Sequence, residues 1–420
     1  MQQLLDYLKT IPEPDQIAIR RRSIAKLYEN APWPTKKFID YEKLFHGFSL
    51  ETLYADKFDF IPILQQDKSI DPKNTGIFFN GELVLAESNI SGVEVLSYDD
   101  ALDKFPSLLE EYILQTRFPK DADKLSILTQ SGFTDGIVVY VHPDTFPKEK
   151  KDTNIFYLYQ SIGKDALIAN TYVLLIIGKN NDFHIVSERL PVLFEGESIS
   201  FSHEDIFIDE NVTCDYLAIN RNGEQVRDIT TKSFYIGENS SFSYMDLIFG
   251  GKSMRQTLDA YLDANNANFQ LNGISFAAHS QIFETITLLN NCKKGTEGRI
   301  LYKNLVSDTA KTYFEGLIKI EKGADFTNSY LEDHTILLSE NAVSESIPGL
   351  EIEAKEVRAS HGATIGTIDK EQMFYAESRG MSEKEAIKII TFGFLRPILD
   401  RLQDAKLEER IVTYFNTKLG

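Results

Sequence analysis

The chain has 420 residues, 42% of them hydrophobic and 25% charged, a balance that fits a globular protein with a sizeable core. Its 44 basic and 63 acidic residues leave a net charge of −19, which repels phosphate backbones and argues against nucleic acid as a partner. The longest apolar run, Tyr172 to Ile177, is far too short to cross a bilayer, and Met1-Gln2-Gln3-Leu4 lacks the basic start and apolar run of a secretory signal. Cys214 and Cys292 therefore read as two free thiols in a reducing cytoplasm.

The first 50 residues read as helical. Leu4, Leu5 and Leu8 share a face of a short helix that Pro12 and Pro14 end. A second helix is expected from Asp15 to Asn30, with Arg20, Arg21 and Arg22 as a solvated face. Ile77 to Leu85 reads as a hairpin turning at Asn80-Gly81, and Ala101 to Gln115 as helix.

From Leu125 to Ile365 the texture changes to short apolar or alternating runs with glycine, asparagine or aspartate between them. The runs are 136–141, 172–177, 183–186, 244–249, 269–276, 282–289, 299–305, 313–320, 335–338 and 350–352. Their β-branched and aromatic content predicts strands. About 240 residues of this kind suit a β-solenoid, in which each turn stacks on the last. Arg255 to Asn265 fits either a helical or a strand period, and no short sequence repeat is visible.

The tail returns to helix. Asp369 can cap a helix stopped at Gly380, and Ser382-Glu383-Lys384-Glu385 is a capping box. Beyond it Ile387, Ile390, Phe394 and Ile398 line one face, joined by Leu395, Leu399 and Leu402, Pro397 should kink or shorten the helix, and Leu407 to Lys418 reads as a last helix. The segment Gly366 to Gly420 carries nine basic and nine acidic residues, so the acid excess lies upstream of it. Terminal helices are expected to cover the raw ends of the solenoid.

Most catalytic motifs fail. Gly250-Gly251-Lys252-Ser253 lacks the earlier glycine of a phosphate loop, whose place Asp246 takes, and reads as a turn. There is no C-x-x-C, H-E-x-x-H or G-x-S-x-G pattern. His184 with Glu188, His203-Glu204-Asp205 and Glu332-Asp333-His334 read as surface polar groups, the second of them in a loop. Paired carboxylates on a β-helix would suit a polysaccharide lyase or hydrolase. His361 stands where the last extended segment hands over to the tail. Alone, it fits a metal ligand, a proton carrier or a histidine bonding a strand end.

The order Ser360-His361-Gly362-Ala363-Thr364-Ile365-Gly366, Phe374-Tyr375, Ser378-Arg379-Gly380 resembles the SufD branch of the SufB/SufD family, which helps assemble iron–sulfur clusters. Phe133 to Val141, Tyr313 to Ile318, Tyr330 to Leu338 and Pro348 to Ile352 are similar to family segments, and Pro32 to Tyr41 resembles its opening motif loosely. The resemblance implies a mainly β fold, a right-handed parallel β-helix between helical ends. Its divisions would be an N-terminal domain at 1–125, a core at 126–366 and a C-terminal helical domain at 367–420.

It further implies a non-catalytic cytoplasmic subunit that pairs with a SufB-like scaffold through the β-helix, docks a SufC-like ABC-type ATPase on its tail, and supports iron admission and cluster formation. His361 would contribute iron or cluster binding at the partner interface, where a transient iron–sulfur cluster is held. Phe374, Tyr375, Arg379, Ile390 and Phe394 would serve partner docking. Flavin on the complex and homodimer formation by the isolated chain stay open. Three departures stand out: Ala359 replaces a cysteine many relatives carry, Glu284 falls where a family histidine is expected, and Asp333 aligns with the SufB-branch cysteine. The remaining alternatives are the carbohydrate enzyme and a β-helix adaptor unrelated to iron.

Overall fold

The computed structural model describes residues 2–35, 40–45, 74–119, 122–146, 154–163, 167–192, 195–402 and 405–419. Of the loosely matched opening motif, residues 36–39 lie outside this set.

Two sheets face each other across one core. Their strands are β1 (Asn74–Phe79), β2 (Glu82–Ser88), β3 (Val93–Ser97), β4 (Asp135–Val141), β5 (Ile155–Ser161), β6 (Ile168–Ile177), β7 (Asp182–Leu190), β8 (Ser198–Ile208), β9 (Thr213–Asn220) and β10 (Val226–Ile236). There follow β11 (Ser241–Ile248), β12 (Ser253–Leu262), β13 (Asn268–Ala277), β14 (Ile282–Asn291), β15 (Glu297–Val306), β16 (Lys311–Ile320), β17 (Asn328–Leu337), β18 (Val343–Ile352) and β19 (Arg358–Thr367). Odd strands from β5 to β19 stack in parallel in one sheet, and even strands from β4 to β18 in the other. The chain thus winds through a parallel β-solenoid of about seven turns. The β1–β2 hairpin and the antiparallel β3 finish the two sheets at the starting end.

Stacking sets residue over residue. Ile185, Tyr216, Tyr244, Leu271, Ile300 and Leu331 form one inward column, which His361 continues. Alternation along each strand points these side chains into the core and their neighbours out. Corners are built alike: Asn180, Asn211, Asn239 and Asn266 all take positive φ, Gly295 follows, and Phe326 holds the next corner at φ 65°. Asparagine tolerates this left-handed backbone and adds amide ladders, Asn211 to Asn180 at 3.1 Å and Asn266 to Asn239 at 3.0 Å. Corner lengths vary, so stacked partners lie from 26 residues apart (Arg227 and Ser253) to 36 (Asp135 and Thr171). That drift hides the repeat from the sequence.

Helices α1 (Gln2–Tyr7), α2 (Asp15–Lys26), α3 (Tyr41–Phe45), α4 (Tyr98–Lys104), α5 (Pro106–Gln115) and α6 (Lys124–Ser131) precede the solenoid, and α6 packs on β8 and β10. After it come α7 (Lys370–Ser378), α8 (Glu383–Leu399) and α9 (Ala405–Leu419), with α8 against β13 and β15. The hairpin turn, the caps at Asp369 and Ser382 and the stop at Gly380 fall where expected.

Several expectations need correction. The tail helices lie on the outer face of one sheet and leave β18 and β19 as open edges, so they do not cover that end. Arg21 is buried, not solvated: it donates to the Ser131 and Phe133 carbonyls and pairs with Glu13 at 2.6 Å. Residues 203–205 are not a loop but the centre of β8, buried on both faces because the N-terminal helices cover that sheet. Residues 255–262 resolve as strand β12. The buried stripe of α8 is Ala386, Thr391, Leu395, Ile398 and Leu399; Leu395, Ile398 and Leu399 are buried as expected, while Ile387, Ile390 and Phe394 are only half-buried. Pro397 sits inside α8, two residues before its end, and terminates it without a break.

Gly273 has a steric reason. Tyr302, the next residue in its column, lays its ring where a Gly273 Cβ would be, and donates its hydroxyl to Asp246 one rung further at 2.6 Å. Gly273→Ala is expected to cost about 1–3 kcal/mol by overpacking. In a Tyr302→Leu background the same change should cost clearly less. Urea denaturation of the four chains checks the coupling.

Candidate functional site

His361 sits on the last strand. Its register partner is Leu331, and Ala359, two residues earlier on the same face, packs against the interior core. The imidazole therefore belongs to the inward column, yet it is exposed because no further turn among the described residues lies over it. Around it the open end shows apolar side chains: Ile347, Leu350, Ile352 and Ile365 are exposed on the last turn, and Phe326 is 65% exposed at the corner beside it. An aromatic residue held at positive φ and left in water has no packing reward to offset its backbone strain.

Beneath His361 the core is unexpectedly polar. Lys232 pairs with Glu204 at 2.6 Å, and Tyr216 donates to the same carboxylate at 2.7 Å. Arg189 pairs with Asp228. Asp246 accepts from Tyr302 and from Gln256, each at 2.6 Å. Burial pushes the Asp246 carboxyl up and the Lys232 ammonium down, against the pull of their neighbours. These groups lie in consecutive turns and point inward, where alternation would place apolar residues.

Asp333 ends this series one turn before the mouth. It is 0% exposed, and its Oδ1 accepts from Asn304 Nδ2 at 2.7 Å. The hydroxyl of Ser346, on the facing strand β18, is directed at the same carboxylate. Burial pushes its carboxyl up to about 6, with the Ser346 hydroxyl and the Asn304 amide pulling the other way. The reading of 332–334 as surface polar groups holds only for Glu332 and His334, which face outward; His334 bonds Thr364 at 2.7 Å. Among the described residues no group of three or more His, Cys, Asp or Glu side chains is placed to hold a metal ion.

The other candidates scatter. Phe374 and Tyr375 are 73% and 62% exposed on α7, and Arg379 lies over the Tyr375 ring at 5.1 Å. Phe394 packs instead against the solenoid, meeting Lys303 at 4.3 Å, and Ile390 is half-buried on the same helix. Five side chains once grouped for docking thus fall on two surfaces. Glu284 is buried, bonded by Tyr41 and 3.7 Å from Arg255. Both cysteines are free; burial raises each thiol, Cys292 to about 12, which leaves it a poor nucleophile.

Sequence reasoning missed what anchors the tail. Glu188, buried at 1% exposure, is not a surface residue: it binds Arg221 and, from α9, Arg410 at 2.8 Å. Lys418 donates to Gln281 Oε1 at 2.6 Å and to the Phe276 carbonyl, and burial pushes its ammonium down to about 7. Ile411 and Phe415 bury beside them. The strand period of β7, with Glu188 four residues from His184, carried the only hint.

An open-ended parallel β-solenoid with one inward histidine on its last rung and helices along its sides defines the class. The family described as "SUF system FeS cluster assembly, SufBD core domain" matches residues 160–394, and the chain belongs to it. It is 23% identical to the iron-sulfur cluster assembly protein SufD of Bacillus subtilis over 97% of this chain and 90% of that one. Identity to the Escherichia coli SufD is 31%, over 43% of this chain and 42% of the relative. A SufBD family protein of Pyrococcus horikoshii is 24% identical over 78% of this chain and 71% of its own length.

The Asp333 environment makes a measurable pH signature. Its folded-state carboxyl titrates near 6 against an ordinary 3.8, so the folded state holds the proton more tightly. Its contribution to stability is present below about pH 3.8 and lost as pH rises through 6, a change of about 3 kcal/mol. Asp333→Asn should therefore raise stability at pH 7.5 by up to about 3 kcal/mol and change little at pH 4. Denaturant midpoints at the two pH values check this.

Proposed function

We propose that this chain is a SufD-like, non-catalytic subunit of a cytoplasmic iron–sulfur assembly complex, with its open solenoid end as the face that meets a SufB-like scaffold. The observation that carries the reading is His361, inward on the last rung yet uncovered. An imidazole there is shared between this core and whatever stacks on it. The apolar rim of Leu350, Ile352 and Ile365 and two unpaired strand edges supply the adhesive part of such a contact. Neutral imidazole suits iron as a ligand and carries protons near neutral pH.

The exposed Phe374 and Tyr375 on α7 are the surface we assign to a SufC-like ABC-type ATPase. They lie just past the strand that carries His361, so movement of α7 is communicated to the last rung through the short link at 368–369. The relatives named SufD support the cluster-assembly part of this reading, and the geometry supports the division into a pairing end and a docking side.

His361→Ala is expected to leave folding and complex formation intact and to abolish cluster formation in the complex, read from visible absorbance and bound iron and sulfide. A wild-type cluster yield would overturn the role of the histidine. Leu350→Glu should break co-purification with the SufB-like partner while capture of the ATPase persists, whereas Phe374→Ala with Tyr375→Ala should do the reverse. Cleavage of a polysaccharide by the isolated chain would overturn the whole reading.

A further inference from the structure

The open end is charged as well as apolar. From Glu340 to Thr367 the chain carries five acidic side chains, Glu340, Glu345, Glu351, Glu353 and Glu356, against Lys355 and Arg358, a net charge of −3. All of these but Glu345 are exposed. Glu351 is answered from the rung below by Lys319 at 3.1 Å. Glu340, Glu353 and Glu356 enter no ion pair among the described residues. The charges and the apolar groups have separate places. Leu350 and Ile352 stack on the core residues Ile318 and Ile320, so they belong to the inward row and are bare only because no later strand covers them. Glu351, between them on β18, points to the opposite face. An apolar centre thus carries an acidic border.

The centre and the border discriminate differently. Apolar side chains and open strand edges adhere to any similar surface, a second copy of this chain included. A two-fold pair of copies would set the same patch against itself, −3 facing −3, on bodies that each carry −19. Only Lys355 and Arg358 are at hand in each patch to answer the carboxylates opposite. Like charges brought together at a contact penalise the wrong partner, and opposite charges speed and orient the right one. Because these side chains are in water, their effect reaches about one Debye length, about 8–10 Å at ordinary ionic strength, and fades as salt is added.

We propose that the acidic border of the open end selects its occupant: it admits a SufB-like scaffold whose facing end has a basic border, and it turns away a second copy of this chain. The inference rests on the reading of the open end as the pairing face and adds the chemistry of the counterface. The apolar centre holds the partner once seated; the carboxylates decide which partner is seated. Pairing with the scaffold and pairing between copies therefore respond to salt with opposite signs.

The test is sedimentation of the purified full chain, alone and with the purified SufB-like chain, at about 50 and about 500 mM NaCl. Alone, the chain should be monomeric at the lower salt, and any self-association should strengthen as salt rises. Pairing with the scaffold should weaken about 10-fold or more over the same range. Glu353→Lys with Glu356→Lys should weaken scaffold pairing about 10-fold at the lower salt and much less at the higher. The same double variant should pair with the parent chain more tightly than the parent pairs with itself. Asp103→Lys with Glu111→Lys makes an equal change in net charge at exposed positions on α4 and α5, and should pair as the parent does. Self-pairing of the parent that is tightest at low salt, or equal losses from the two double variants, overturns the inference. Leu350→Glu separates it from the reading beneath it. Loss of scaffold pairing in Leu350→Glu but not in Glu353→Lys with Glu356→Lys leaves the open end as the pairing face and overturns its charge as the selector. Full scaffold pairing in Leu350→Glu overturns the pairing face itself.

Discussion

Everything in this molecule depends on parallel stacking. Each strand from β6 to β17 is hydrogen-bonded to the strand one turn earlier and one turn later, so side chains align in columns along the axis. A column is tolerant in one respect and strict in another. It accepts any residue that fits the rung above and below, including Tyr302 lying over Gly273. It cannot end without leaving an edge, because the last strand always has donors and acceptors with nothing to meet them. At the starting end antiparallel strands β2 and β3 resolve this. At the other end nothing among the described residues does, and the histidine, the apolar rim and the strained Phe326 all gather there.

The polar core belongs to the same logic. In a two-sheet sandwich an inward charge meets side chains from many directions. Here it meets mainly its own column and the facing one, so pairs such as Lys232 with Glu204, and Arg189 with Asp228, can be settled locally, rung by rung. Such pairs are weak sources of stability once desolvation is counted, but each fixes a register, since slipping one strand would strand both charges in an apolar column. Glu188 does the equivalent work on the outer face, where its two arginines hold the last helix in place.

How much of this the sequence disclosed follows from which faces are covered. Strands β16 and β17 have one buried and one wetter face, and their alternation was legible. The strand Ser198–Ile208 is buried on both faces and rich in polar residues, so it carried no period at all. The hairpin at Asn80-Gly81 and the caps at Asp369 and Ser382 were readable because backbone chemistry there is local. His361 was found through its surrounding motif. Asp333 was not found by chemistry, because what makes it unusual is its column. Its neighbours Tyr302 and Ala363 lie 31 and 30 residues away, at a spacing that changes from turn to turn.

A stack of rungs also has a gradient of fastness. Rungs in the middle are held from both sides and buried by helices, while the last is held from one side and washed by solvent. The Ser360-His361 rung is therefore the first to breathe and the last to anneal. Whatever seats itself on that end supplies the missing neighbour, and in doing so it firms up the very strand it grips. Recognition and rigidification are one event here: the terminal turn behaves as a latch that is set only while something is pressed against it.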